Sequence, residues 1–340
     1  MTTPVSGPEP DASTDPLASP PVDARPGLST FTIEGRQAPA LFVVGWLASL
    51  LGVVAIAIAV AADRGLASTA VLLGGLVLVS VGLVAAAGSQ GIERRARGTA
   101  GYSGPSPFLV FIASIPVSVL AIVVVAIPLD AAGVAVDGPL GVLLSVTIQA
   151  GVYVGLVRLL VVDTGALDWR AMGVVRPNAA AFADIARGAL WAVPVIALTI
   201  PLVAALLAVF PVTPESPLPP TGTASGFALS LAAGVLVAPF GEEILFRGFA
   251  TTAWVRGMGA RGGIVRAAVV FAVAHVLTIS GSTAGDAFGL AVVGFLTRLP
   301  IALTLGWLFV RRGTVWSSFG LHASFNLVLL VLAEVANRPI

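Results

Sequence analysis

Two adjacent carboxylates and a guanidinium interrupt an otherwise apolar run at Phe240-Gly241-Glu242-Glu243-Ile244-Leu245-Phe246-Arg247-Gly248-Phe249. An ionised carboxylate in hydrocarbon costs several kcal/mol, so an acid in such a run is paired, faces a wet cavity or takes part in chemistry. On a helix Glu243 and Arg247 stand four apart and pair on one face, whereas Glu242 points about 100° away. One glutamate therefore has a local partner and the other has none. The chain holds two histidines, His275 and His322, and no cysteine. Disulfides, thiolate metal sites and cysteine nucleophiles are thereby excluded. His322 and Asn326 lie one above the other on a helical face and can aim at one point, and Phe271, four before His275, can pack against that imidazole.

A carboxylate with its pKa raised by partial burial can take a proton from water, and a neighbouring imidazole can share that proton and hand it to a leaving amine. A second imidazole and a carboxamide can donate to a developing oxyanion, each contributing on the order of 3 kcal/mol. These are the parts of a hydrolase that cuts an amide bond without a covalent intermediate. A metal is the other option, since Glu242, His275 and His322 make up the two-histidine, one-carboxylate set of zinc hydrolases. No H-E-x-x-H signature is present and the three donors come from separate helices, so spacing neither requires nor excludes zinc, and no cofactor is firmly implied. Structural roles compete at each position: an ion pair steadying a bent helix for Glu243 and Arg247, helix-to-helix hydrogen bonds for the histidines and Asn326. Arg298, mid-span before Leu299-Pro300, is expected to pair with Asp286 or another acid, with a substrate carboxylate as the rival partner.

The elements that must position these groups are membrane spans. Of 340 residues 57% are hydrophobic and 10% charged, with a mean hydropathy of +1.01, far from the roughly 25% charged of soluble domains. The net charge of +1 leaves no nucleic-acid footprint. Residues 1–38 read as a disordered, mildly acidic tail, and no basic segment marks a cleaved signal peptide. Beyond it come apolar runs of the length a helix needs to cross about 30 Å of hydrocarbon, at about 41–62, 66–87, 108–129, 140–162, 188–210, from 226, 263–280, 288–310 and 315–333. The fold class is all-α, a polytopic membrane protein of about eight to nine spans. A short amphipathic helix is expected at about 179–187. Arginine clusters at 93–97, 170–187, 256–266 and 311–312 alternate with loops poor in basic residues, such as 211–223, which has none, and this puts the N-terminus in the cytoplasm. Trp169 and Trp316 fit interfacial anchors.

Taken together, Glu242-Glu243-x-x-x-Arg247, Phe271-x-x-x-His275 and His322-x-x-x-Asn326 resemble the three-motif set of the CPBP family, the type II CAAX prenyl endopeptidases with the bacteriocin-processing and immunity-related membrane proteins of the Abi domain. All three motifs occur in order with their spacings intact, across about 226–333. The resemblance implies a multi-pass cell-membrane endopeptidase with a cavity open to the cytoplasm and a CAAX-protease-like helical core at 211–340, preceded by further spans at 39–210. By carry-over, Glu242 and His275 activate water, His322 and Asn326 form the oxyanion hole, and Glu243 with Arg247 orient the site. Members are often named metalloproteases, yet a glutamate-dependent mechanism without metal is also argued for the family. Eukaryotic members cut prenylated CAAX tails, whereas no feature of this chain selects a prenyl group. The implied partners are the lipid bilayer and a membrane-associated protein or peptide substrate. A non-proteolytic scaffold or immunity factor on the same fold is the alternative, and a proton-coupled transporter a third reading, for which no inverted repeat is present.

Overall fold

Prolines at the first turns of three helices mark where the chain enters successive spans, since proline fixes a helical φ where its missing N–H costs nothing. The structure is a computed structural model describing residues 31–99, 101–214 and 221–336. Of the expected tail only residues 31–38 fall among these. Eight helical segments are long and apolar enough to cross a membrane: α1 (Pro39–Ala61), α2 (Leu66–Ala96), α3 (Pro107–Ala131), α4 (Pro139–Val162), α5 (Ala179–Val209), α6 (Ala224–Ala274), α7 (Ala284–Arg312) and α8 (Val315–Ala336). No strand occurs among the described residues. The protein is an all-α, multi-pass membrane protein.

Helix α2 runs on through the basic cluster that sequence pattern places in a loop. Its Glu93, 1% exposed, accepts hydrogen bonds from the backbone N–H groups of Gln37 and Ala38 at 2.5 and 3.4 Å. A carboxylate at the start of α1 satisfies otherwise orphaned donors and meets the positive end of the helix dipole. The cluster is therefore the last turns of a helix that reaches back to hold its neighbour.

Helix α5 turns at Trp191 between an amphipathic part, Ala179–Leu190, and an apolar part, Ala192–Val209. Asn178 caps its start by accepting from the Ala181 N–H at 3.0 Å. The amphipathic part lies directly against α8: a Cβ on Gly188 would strike the Ser317 carbonyl, and one on Gly320 the Ile185 carbonyl. Two glycines, one from each helix, thus let the backbones touch. Asp184 on the same part receives Arg312 from the end of α7 at 2.6 Å and its own neighbour Arg187 at 3.1 Å.

The sixth and seventh spans, expected as separate helices with an arginine loop between them, are two helical limbs of α6 that meet at a kink rather than a longer loop. The kink is at Gly259, whose φ of 78° and ψ of 170° suit glycine alone. If the segment were straight, Glu242 and His275 would lie about 50 Å apart; their side chains are 3.7 Å apart. The second limb therefore runs back along the first. It stops at Ala274 rather than continuing to residue 280, and at about 22 Å it is shorter than the hydrocarbon is thick. The cause lies in His275, whose ring Nδ1 occupies the Phe271 carbonyl at 2.8 Å that the next helical N–H would take, while its own N–H turns to Val273.

Within the first limb, wide π-helical turns occupy Ala232–Val237 and Glu243–Thr251, a distortion that recurs at functional sites. The core is centred beneath this limb, where Phe246 meets Phe111 of α3 and Phe271 of the second limb at ring distances of 5.6 and 5.2 Å. Tyr153, Leu156 and Val157 of α4 close it from the other side.

Candidate functional site

Glu243 and Arg247 pair at 3.1 Å as their spacing predicts, with side chains 1% and 2% exposed. Helix α8 adds a third member, since His322 places Nδ1 2.9 Å from the same Glu243 oxygen. A carboxylate only accepts, so this Nδ1 carries the proton and Nε2 is left with its lone pair in the neutral ring. The same holds for His275, whose Nδ1 donates to the Phe271 carbonyl.

Both free Nε2 atoms face one atom. Oε2 of Glu242 stands 3.7 Å from Nε2 of His275 and 3.7 Å from Nε2 of His322, too far for direct hydrogen bonds and spaced for a bridging water. That oxygen is buried without a hydrogen-bond partner among the described residues. The side chains of Glu242 and His275 are 16% and 29% exposed against 5% for His322, so the cluster opens on the side of Glu242 and His275.

Phe271 is the hub around which these groups sit. Its ring centroid lies 4.4 Å from that of His275 and 5.7 Å from that of His322, and the Arg247 guanidinium lies 4.1 Å above it. Packing against His275 was legible from the i, i+4 spacing; contact with His322 and the cation–π contact with Arg247 cross between helices and were not. Tyr153 of α4, missed by the sequence reading, lies within electrostatic reach of Glu242. Its only signal was rarity, as one of two tyrosines.

Two residues behave differently from expectation. Asn326 donates its amide to the Gly234 carbonyl at 2.8 Å, satisfying backbone in the first π turn, and only its second N–H is left for other work. Arg298 does not pair with Asp286, whose carboxylate instead accepts from the Ser282 hydroxyl while its backbone N–H donates to the capping Thr283 Oγ1. It donates to the Gly294 carbonyl of its own helix at 2.9 Å and lies within electrostatic reach of Glu242 and His275. With Arg247 it balances the two glutamates. Among the described residues no three His, Asp or Glu side chains are grouped to hold a metal ion.

A carboxylate and two imidazoles around one small gap, backed by a buried ion pair, are equipped to orient a water and move its protons. Residues 224–328 match the family model of the Rce1-like type II CAAX prenyl endopeptidases, in agreement with the CPBP resemblance of the motifs. No curated protein and no solved structure matches the chain.

Proposed function

With an Rce1-like domain at residues 224–328 of a multi-pass membrane protein as the premise, we propose that the chain is an intramembrane endopeptidase hydrolysing a peptide bond of a membrane-associated protein or peptide. The observation that carries this reading is the convergence of Glu242, His275 and His322 at 3.7 Å separations. A water in that gap donates one hydrogen to Glu242 Oε2 and the other to His275 Nε2, which turns its oxygen lone pair toward a bound carbonyl. Glu242 takes the proton as the C–O bond forms, and His275 relays it to the departing amine.

His322 serves the oxyanion only with a proton on Nε2. Glu243, bonded to its Nδ1, stabilises the imidazolium that results, and Arg247 holds Glu243 in place. The remaining N–H of Asn326 is the second donor to the oxyanion, a role in which each donor contributes about 3 kcal/mol. Water activation in this scheme needs no metal, and no step passes through one. The cavity faces the cytoplasm in this reading, with the N-terminus on the same side, as the arginine clusters indicate. Nothing in the arrangement selects a prenylated over an unprenylated substrate.

The test is cleavage of a membrane-tethered, fluorescence-quenched peptide library by the full chain in proteoliposomes. Turnover is expected from the wild-type chain, and none above background from His275→Ala. Turnover unchanged in His275→Ala removes the imidazole from the mechanism.

A further inference from the structure

Outside the candidate site, the segment joining α4 to α5 frames an open cleft of about 560 Å³ lined by Trp169, Arg170, Val174, Val175, Arg176 and Asn178, of which Arg170, Val175, Arg176 and Asn178 are exposed. Its wall is fixed from outside, because Trp316 of α8 donates its indole N–H to the Val175 carbonyl at 2.9 Å. Arg170 and Arg176 make no ion pair among the described residues. The nearby carboxylate of Asp168 accepts from the Ala171 N–H at 2.7 Å through one oxygen and makes no ion pair with either arginine. Asn178 uses its side-chain oxygen on the cap of α5, which leaves its amide N–H groups as donors. The lining thus combines two guanidiniums without an ion pair and a carboxamide with an indole and two valines.

Position narrows the ligand. Residue 163 follows directly on Val162, the last apolar residue of α4, so the segment sits where hydrocarbon gives way to headgroups, the depth at which tryptophan concentrates. We infer that this cleft binds the phosphate headgroup of an anionic phospholipid: Arg170, Arg176 and Asn178 hold the phosphate oxygens, and Trp169 with the valines lines the glycerol end. The volume is many times the roughly 30 Å³ share of a water molecule and exceeds what a bare phosphate fills. The site is separate from Glu242 and stands whether or not the chain is a protease.

The test uses the full chain in neutral detergent with mixed phosphatidylcholine and phosphatidylglycerol micelles, with retained phosphatidylglycerol counted by native mass spectrometry. Each interfacial arginine contributes about fivefold in affinity for an anionic surface. Arg170→Gln/Arg176→Gln is therefore expected to weaken retention roughly 25-fold, and Val175→Trp, which fills the cleft and keeps both charges, to weaken it too. The exposed pair Arg64→Gln/Arg261→Gln, outside the cleft, is expected to weaken it less than the cleft pair does. Retention unchanged in the cleft variants, or lowered equally by the control pair, overturns the site. Displacement of the lipid by millimolar inorganic phosphate overturns the lipid assignment in favour of a free anion.

Discussion

Glu242 and Glu243 are neighbours in sequence and opposites in circumstance. Glu243 is spent on structure, held between Arg247 and His322 with almost no exposure, while Glu242 keeps a buried oxygen without a partner. Glu242→Gln removes a charge that no arginine holds in an ion pair among the described residues, so its thermal unfolding midpoint is expected to equal or exceed that of the wild type even as function is lost. A fall of several degrees would show that Glu242 is structural. Arg247→Met has the opposite character: it strands the Glu243 charge in the interior and is expected to cost about 3–5 kcal/mol, whereas Glu243→Gln/Arg247→Met recovers much of the loss because no lone charge remains. Comparing the two variants by unfolding in detergent decides the point. The Glu243–Arg247 pair was legible in sequence because both groups lie on one helix. The Glu243–His322 bond spans 79 positions, and no local spacing encodes it.

Helix α6 turns an ordinary pattern into a site by folding back. A Cβ at Gly259 meets nothing within 4 Å, so Gly259→Ala tests backbone strain alone, an expected cost of about 1–3 kcal/mol. Since this turn sets His275 against Glu242, and a shift of about 1 Å at a reacting group can cost about 10²-fold in rate, turnover is expected to fall by more than stability does. Matched peptide-cleavage and thermal-unfolding measurements on that variant are the check, and an unaltered rate would mean the two limbs are positioned by their packing instead. The apolar spans themselves were legible, because 20-residue hydrophobic runs have few other uses. Their ends were less so: α2 carries its arginines as helix because Glu93 folds back to cap α1, and the second limb of α6 stops short because an imidazole takes a helical carbonyl. Both are side-chain events that hydropathy does not register.

At the scale of the whole molecule, helices α3, α4, α6 and their neighbours pack an aromatic core, beside which Glu242 and His275 keep partial exposure. The order of the arginine clusters gives an orientation that single-cysteine labelling can read, since the chain has no cysteine of its own. In sealed right-side-out vesicles, Arg64→Cys is expected to react with an impermeant maleimide and Thr99→Cys to be protected; the reverse pattern inverts the topology. Chelation with 1,10-phenanthroline is expected to leave turnover unaltered, because the proposed proton path runs through carboxylate and imidazole; a loss restored by zinc would return Glu242, His275 and His322 to the role of ligands. The most direct measurement is cleavage of a membrane-tethered peptide by the reconstituted full chain beside its Glu242→Gln variant, both verified as folded. Cleavage by the wild type, cut by 10²-fold or more in the variant, is the expected result; equal cleavage by both would contradict a water activated by Glu242.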